Sequence, residues 1–184
     1  MALLSIKVPE EVSRVLTEIQ VPGEATSADS KHITLVYLGK DAPMSVVLGA
    51  IQAVYDVAQE TKPIALSTEE VTTFPKGDDG VPVIAKVLGD DLHKLQKKLC
   101  EALDKNKVPF PKTYPTYKPH ITLSYSPKET ESFSIEPLEW TAYEMLLSGG
   151  SDLSDRISVK IPFQVVGKTA LHRMLVRAAT LSLG

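Results

Sequence analysis

The sequence predicts an α+β chain made of two related lobes that face each other across a pseudo-twofold axis. Three observations carry this expectation. The order strand, helix, loop, short HITL strand occurs twice, over Leu3–Leu38 and again over Val81–Tyr125. No low-complexity tract or linker divides the two copies, so they form halves of one unit. The 184 residues, 43% apolar and 23% charged, suit one ordinary globular domain and exclude a disordered or collagen-like chain.

Leu3–Val8 is apolar with one alternating lysine, Lys7, and reads as a strand. Pro9 suits the first helical position, and Val12, Val15, Leu16 and Ile19 recur at helical spacing, predicting a helix over 9–20. Gly23–Lys31 reads as a polar loop and His32–Leu38 as a short strand. Pro43 opens a second helix with Val47, Ile51, Val54 and Ala58 on one face, and Pro63 ends it. Ile64–Phe74 and Val81–Leu88 read as a hairpin around the Lys76–Gly80 turn. Asp90 suits the cap of a helix whose core stripe is Leu92, Leu95, Leu99 and Leu103. A Pro- and aromatic-rich loop, Val108–Pro119, leads to a strand at Ile121–Tyr125. Leu138–Leu147 and Ile157–Phe163 read as further strands, split by a loop around Gly149 and Gly150, and residues 169–180 as a final helix. The domain is expected over 1–147, with 148–184 a strand-and-helix extension packed on it.

Charge and cysteine usage narrow the function. The net charge of -3 argues against a surface for long double-stranded nucleic acid. It is unevenly spread: no acid follows Asp155, and the tail carries Arg156, Lys160, Lys168, Arg173 and Arg177. The single cysteine, Cys100, excludes an internal disulfide or a Cys-cluster metal site. No apolar run approaches the ~20 residues of a membrane span. The opening residues lack the basic start of a signal peptide, so a cytoplasmic protein is expected.

The chemistry sits in the two short strands, His32-Ile33-Thr34-Leu35-Val36-Tyr37 and His120-Ile121-Thr122-Leu123-Ser124-Tyr125, identical at five of six positions. A lone HxT is common; a matched pair is not. Strand alternation puts His32 and Thr34 on one face, and likewise His120, Thr122 and Ser124. Ile33, Leu35, Tyr37, Ile121, Leu123 and Tyr125 fall on the other. If the lobes meet across the dyad, two imidazoles and two hydroxyls share one cleft. With an ordinary pKa near 6.5, one imidazole can be neutral and the other protonated at neutral pH. The neutral one takes a proton from water or an attacking hydroxyl, and the charged one donates to the leaving oxygen. The threonines can hold non-bridging phosphate oxygens. No spacing of metal ligands appears, and no metal or other cofactor is expected. The bland reading, structural histidines repeated by duplication, leaves the retained polar face unexplained.

The duplicated H-apolar-T-apolar motif resembles the signature of the 2H phosphoesterase superfamily. His32–Leu35 matches its first motif and His120–Leu123 its second. Leu38-Gly39 and Lys118-Pro119 are similar to the flanks in phage and bacterial members. The resemblance covers residues 3–147 and implies a bilobal fold: antiparallel sheet, helices outside, both motifs in a central cleft. It also implies metal-independent chemistry on a phosphodiester beside a ribose 2′-oxygen. Opening of 2′,3′-cyclic phosphates and degradation of cyclic-oligonucleotide immune signals by phage enzymes are among the family's activities. The implied catalytic set is His32, Thr34, His120 and Thr122.

The loop before His120 offers Lys112 and Lys118 for phosphates and Tyr114 and Tyr117 for stacking on a base. Ser124 is a further candidate. The expected partner is a small nucleotide or an RNA end; oligomeric state is not legible. Two other classes stay open: a non-catalytic nucleotide-binding module on the same cleft, and a virion- or polyprotein-associated domain docking through its tail.

Overall fold

The computed structural model describes residues 1–112, 116–149 and 157–164. Strands β1 (Ala2–Lys7), β2 (Glu24–Ala25), β3 (His32–Gly39), β4 (Ile64–Thr73), β5 (Val81–Lys86), β6 (His120–Ser126), β7 (Phe133–Ala142), β8 (Glu144–Gly149) and β9 (Ile157–Pro162) alternate with helices α1 (Glu10–Glu18), α2 (Met44–Glu60) and α3 (Asp90–Lys105). A short 3-10 turn covers Ala28–Ser30. All the strands join one antiparallel sheet ordered β7-β4-β5-β6-β3-β1-β8-β9, with β2 added on β6. The order is symmetric about its centre: β6 matches β3, β5 matches β1, β4 matches β8 and β7 matches β9. The first lobe is β3-β1-β8-β9 and the second β6-β5-β4-β7. Tyr143 alone separates β7, at the outer edge of the second lobe, from β8, inside the first. The sheet must therefore curl.

One face of the sheet is covered by helices. α2 buries Val47, Ala50, Ile51 and Val54, and α3 buries the expected leucine stripe. These join Ile33, Leu35, Ile121 and Leu123 in a single core. Helix periodicity thus places three helices within a residue or two of expectation. Asp90 is not a cap: Gly89 holds that position, and Asp90 and Asp91 occupy the first turn, where carboxylates complement the helix dipole. The strand expected over Leu138–Leu147 is two strands broken at Tyr143. The helix expected over 169–180 lies outside the described residues. Among the described residues no helix is long and apolar enough to cross a membrane.

Both copies of the motif carry the same irregularity. β1 opposes β3 as Leu4–Val36 and then Ser5–Thr34, skipping Leu35. β5 opposes β6 as Val83–Ser124 and then Ile84–Thr122, skipping Leu123. An extra residue on one strand is a β-bulge, which bends the strand and resets the alternation of side chains.

The loop after α1 is not free. β2 pairs with β6, as Glu24–Tyr125 and Ala25–Ser124. Gly23 turns the chain there with φ +95°, and a Cβ built on it would run into the carbonyl oxygen of Tyr125. Gly23→Ala should therefore destabilise the protein by roughly 1–3 kcal/mol, read from the urea midpoint. An unchanged midpoint would show that the loop does not depend on this docking.

Candidate active site

β3 and β6 share one register pair, Ile33 opposite Ile121, both fully buried. Residues flanking this pair point to the opposite face. Continuing the antiparallel register sets His32 beside Thr122 and Thr34 beside His120. The four expected catalytic residues are all half-buried and meet at the centre of the sheet, on the face without helices.

The two imidazoles are held identically. His32 Nδ1 lies 2.7 Å from the Ser30 carbonyl, and His120 Nδ1 lies 2.7 Å from the Lys118 carbonyl. A carbonyl only accepts, so Nδ1 carries the hydrogen and donates it. That fixes the tautomer and leaves each Nε2 to exchange a proton with a ligand. Neither Thr34 nor Thr122 has a side-chain hydrogen bond among the described residues, so both hydroxyls are available to a bound anion.

The environments of the histidines differ. The Phe74 ring stands edge-on to His120, with centroids 4.7 Å apart. Burial pushes the His120 pKa below the ordinary histidine value. Its bond to the Lys118 carbonyl opposes that shift, and the nearby His32 charge adds to it.

The other sequence candidates separate. Lys118 is exposed and contributes its carbonyl to His120. Lys112 is engaged by Asp104 of α3 at 2.8 Å. The Tyr117 ring packs edge-on to His93 of α3, at 5.4 Å, and on the core; burial raises its pKa. Tyr114 lies outside the described residues.

Ser124 departs from expectation. The bulge turns it to the face of its partner Val83, inside the core, where it is fully buried and donates to the Pro22 carbonyl at 2.6 Å. The same bulges bring Tyr37 and Tyr125 to the histidine face, opposite Leu3 and Pro82. Strict alternation had assigned all three tyrosine and serine positions to the wrong face.

Two contributors escaped the sequence reading. Thr26 Oγ1 donates to the carbonyls of Thr122 (2.8 Å) and Leu123 (3.0 Å). Lys31, buried beside His32, donates to the Thr26 carbonyl at 3.0 Å and its hydroxyl at 3.1 Å. Burial lowers the Lys31 pKa. The polar composition of this loop was its only signal. Among the described residues no set of three His, Cys, Asp or Glu side chains could hold a metal ion.

A family model described as the 2′-5′ RNA ligase superfamily matches residues 8–149. The chain belongs to that superfamily of 2H phosphoesterases. The match spans both HxT motifs, and membership places the chain among phosphodiesterase and RNA-ligase-like enzymes. No curated protein matches it in sequence. Solved structures share its fold. TT0787 of Thermus thermophilus superposes with a TM-score of 0.71 at 19% identity, covering 91% of this chain and 100% of that one. LigT of E. coli, crystallised with ATP, gives 0.54 at 17% identity, covering 86% and 93%. The LigT crystal with 3′-AMP gives 0.51 at 18%, covering 86% and 93%.

If Phe74 keeps water from His120, Phe74→Ala should raise the His120 pKa toward the ordinary value of ~6.5. Titration of the imidazole signals by NMR checks this. An unmoved His120 titration would remove Phe74 as the cause.

Proposed function

We propose that this chain is a metal-independent phosphodiesterase that opens 2′,3′-cyclic phosphates on small RNA-like or cyclic nucleotides. His120 is the general base and His32 the general acid. The observation that carries the reading is the pair of imidazoles, each oriented through Nδ1 by a carbonyl, beside two threonine hydroxyls that have no side-chain hydrogen bond among the described residues.

The steps balance. Water attacks phosphorus as His120 Nε2 takes its proton. The bond from phosphorus to one ribose oxygen breaks, and His32 Nε2 delivers its proton to that oxygen. Thr34 and Thr122 hold the non-bridging oxygens, where negative charge builds. Proton exchange with solvent then resets both rings. The lowered pKa selects His120 as base, because it stays neutral at a pH where an ordinary imidazole is charged. On a 3′,5′ linkage the same base takes the adjacent 2′-hydroxyl proton and that oxygen attacks phosphorus; the bond from phosphorus to the 5′-oxygen breaks, His32 gives that oxygen its proton, and a 2′,3′-cyclic phosphate is left. This second route covers cyclic-oligonucleotide signals of the kind phage enzymes degrade. The net charge of -3 and the nucleotides bound by LigT support a small ligand over long RNA.

Turnover in EDTA of 2′,3′-cyclic mononucleotides, set against 3′,5′-linked cyclic di- and trinucleotides, tests the reading. His32→Ala and His120→Ala should each lower turnover by ~10²-fold or more. Near-normal turnover in either variant would overturn the two-histidine mechanism. So would wild-type inactivity on every substrate while binding is intact.

The pH dependence of kcat/KM should be bell-shaped. Its acid limb reports the base, so it should fall below the ordinary histidine value; a flat profile from about pH 5 to 9 contradicts the pair.

A further inference from the structure

Cross-strand partners share a face, and the rows through the two histidines correspond. In the second lobe His120 opposes Lys86, whose ammonium binds Glu70 at 2.6 Å. In the first lobe His32 opposes Lys7. Continuing the β1–β8 register from Ser5–Leu146 sets Glu144 beside Lys7, in the position of Glu70. There the correspondence breaks. Glu144 is taken from its other side by Lys160 of β9, at 2.8 Å. Lys7 is exposed and has no partner among the described residues. The row through His120 is neutral, and the row through His32 keeps a cation.

Lys7 also borders a recess of about 390 Å³, walled by the β1–α1 junction, the 3-10 turn and the β7–β8 crossing. Its other charged groups are Glu10, paired with Arg14 at 3.1 Å, the Glu144–Lys160 pair, and Asp29 on the 3-10 turn. Among the described residues the unpaired charges are therefore one ammonium and one carboxylate on different walls. A recess of this size accepts a nucleotide-sized group. Phosphate suits Lys7, and ribose hydroxyls or base amino groups suit Asp29 as donors.

We infer that Lys7 and this recess form a subsite for a second nucleotide unit, adjoining the scissile phosphodiester on the His32 side. The preferred substrate then carries a further phosphate and is at least a dinucleotide. The inference rests on the phosphodiesterase reading above and adds the substrate's second half.

The test compares kcat/KM of the full chain on three substrates. They are adenosine 2′,3′-cyclic phosphate, its 5′-phosphorylated form, and a diadenylate ending in a 2′,3′-cyclic phosphate. The second phosphate should raise kcat/KM by about tenfold, and the diadenylate should gain at least as much. Lys7→Ala should bring the ratio near one, while Lys118→Ala, a free cation near the other histidine, should retain it. Equal rates in the wild type, a ratio untouched by Lys7→Ala, or a ratio lost only in Lys118→Ala would each overturn the subsite. Equilibrium binding of adenosine 3′,5′-bisphosphate against adenosine 3′-monophosphate gives the same ratio without turnover. Inactivity on all three substrates would sink the enzyme reading, and the binding ratio would still decide the subsite.

Discussion

The contact of Ile33 with Ile121 is the constraint on which the site depends. Each lobe is tied internally by long ladders, but the two lobes share one register pair along the central seam. That pair must exist, because antiparallel contact there puts His32, Thr34, His120 and Thr122 side by side. It also ends at once, so β3 and β6 do not close into a full ladder beyond it. Burying both isoleucines in the common core holds the strands together. The bulge one residue beyond each threonine bends each strand as it leaves the contact.

One register pair is a weak hinge, and the loop after α1 supplies what it lacks. β2 extends β6, Ser124 fastens Pro22, and Thr26 holds the carbonyls at the second motif's bulge. Lys31, next to His32, closes the chain of bonds by donating to Thr26. A buried ammonium served by neutral oxygens is costly, and its lowered pKa reflects that cost. What it secures is a bonded path from the residue beside one histidine to the strand that carries the other. The first lobe thereby grips the second at the point where misplacement would separate the two histidine–threonine pairs.

Much of this was legible in the sequence. The repeated HITL strands gave the four groups and their convergence, and helical periodicity gave all three described helices. The bulges were not read, because a register shift is a backbone event that no residue type announces. A trace does exist in the first motif. Leu35 and Val36 are consecutive apolar residues, and Leu38 continues the new phase. In the second motif Ser124 hides the same shift, since a serine fits an exposed face equally well in composition. β7 begins earlier than expected because its first half is mostly exposed at the sheet's edge and contains Pro137, which reads as a break in a strand. The place of Tyr117 in the chain suits stacking on a ligand, whereas its ring packs on His93 of α3 and on the core.

A duplicated site has a difficulty of its own: acid–base chemistry needs two groups in different states, and duplication supplies two alike. Both histidines make the same Nδ1 bond at the same distance. Something outside the motifs must make the surroundings of the two rings differ. Phe74 meets that need. It bonds by its backbone to Pro82, the partner of Tyr125. The corresponding place in the first lobe, opposite Leu3 and hence Tyr37, is Ser148. An apolar ring stands where the other lobe has a small hydroxyl-bearing side chain, and it stands edge-on to His120. The motifs supply the symmetry that brings four groups together. A difference two strands away, at the position shared by Phe74 and Ser148, gives the two imidazoles unlike surroundings.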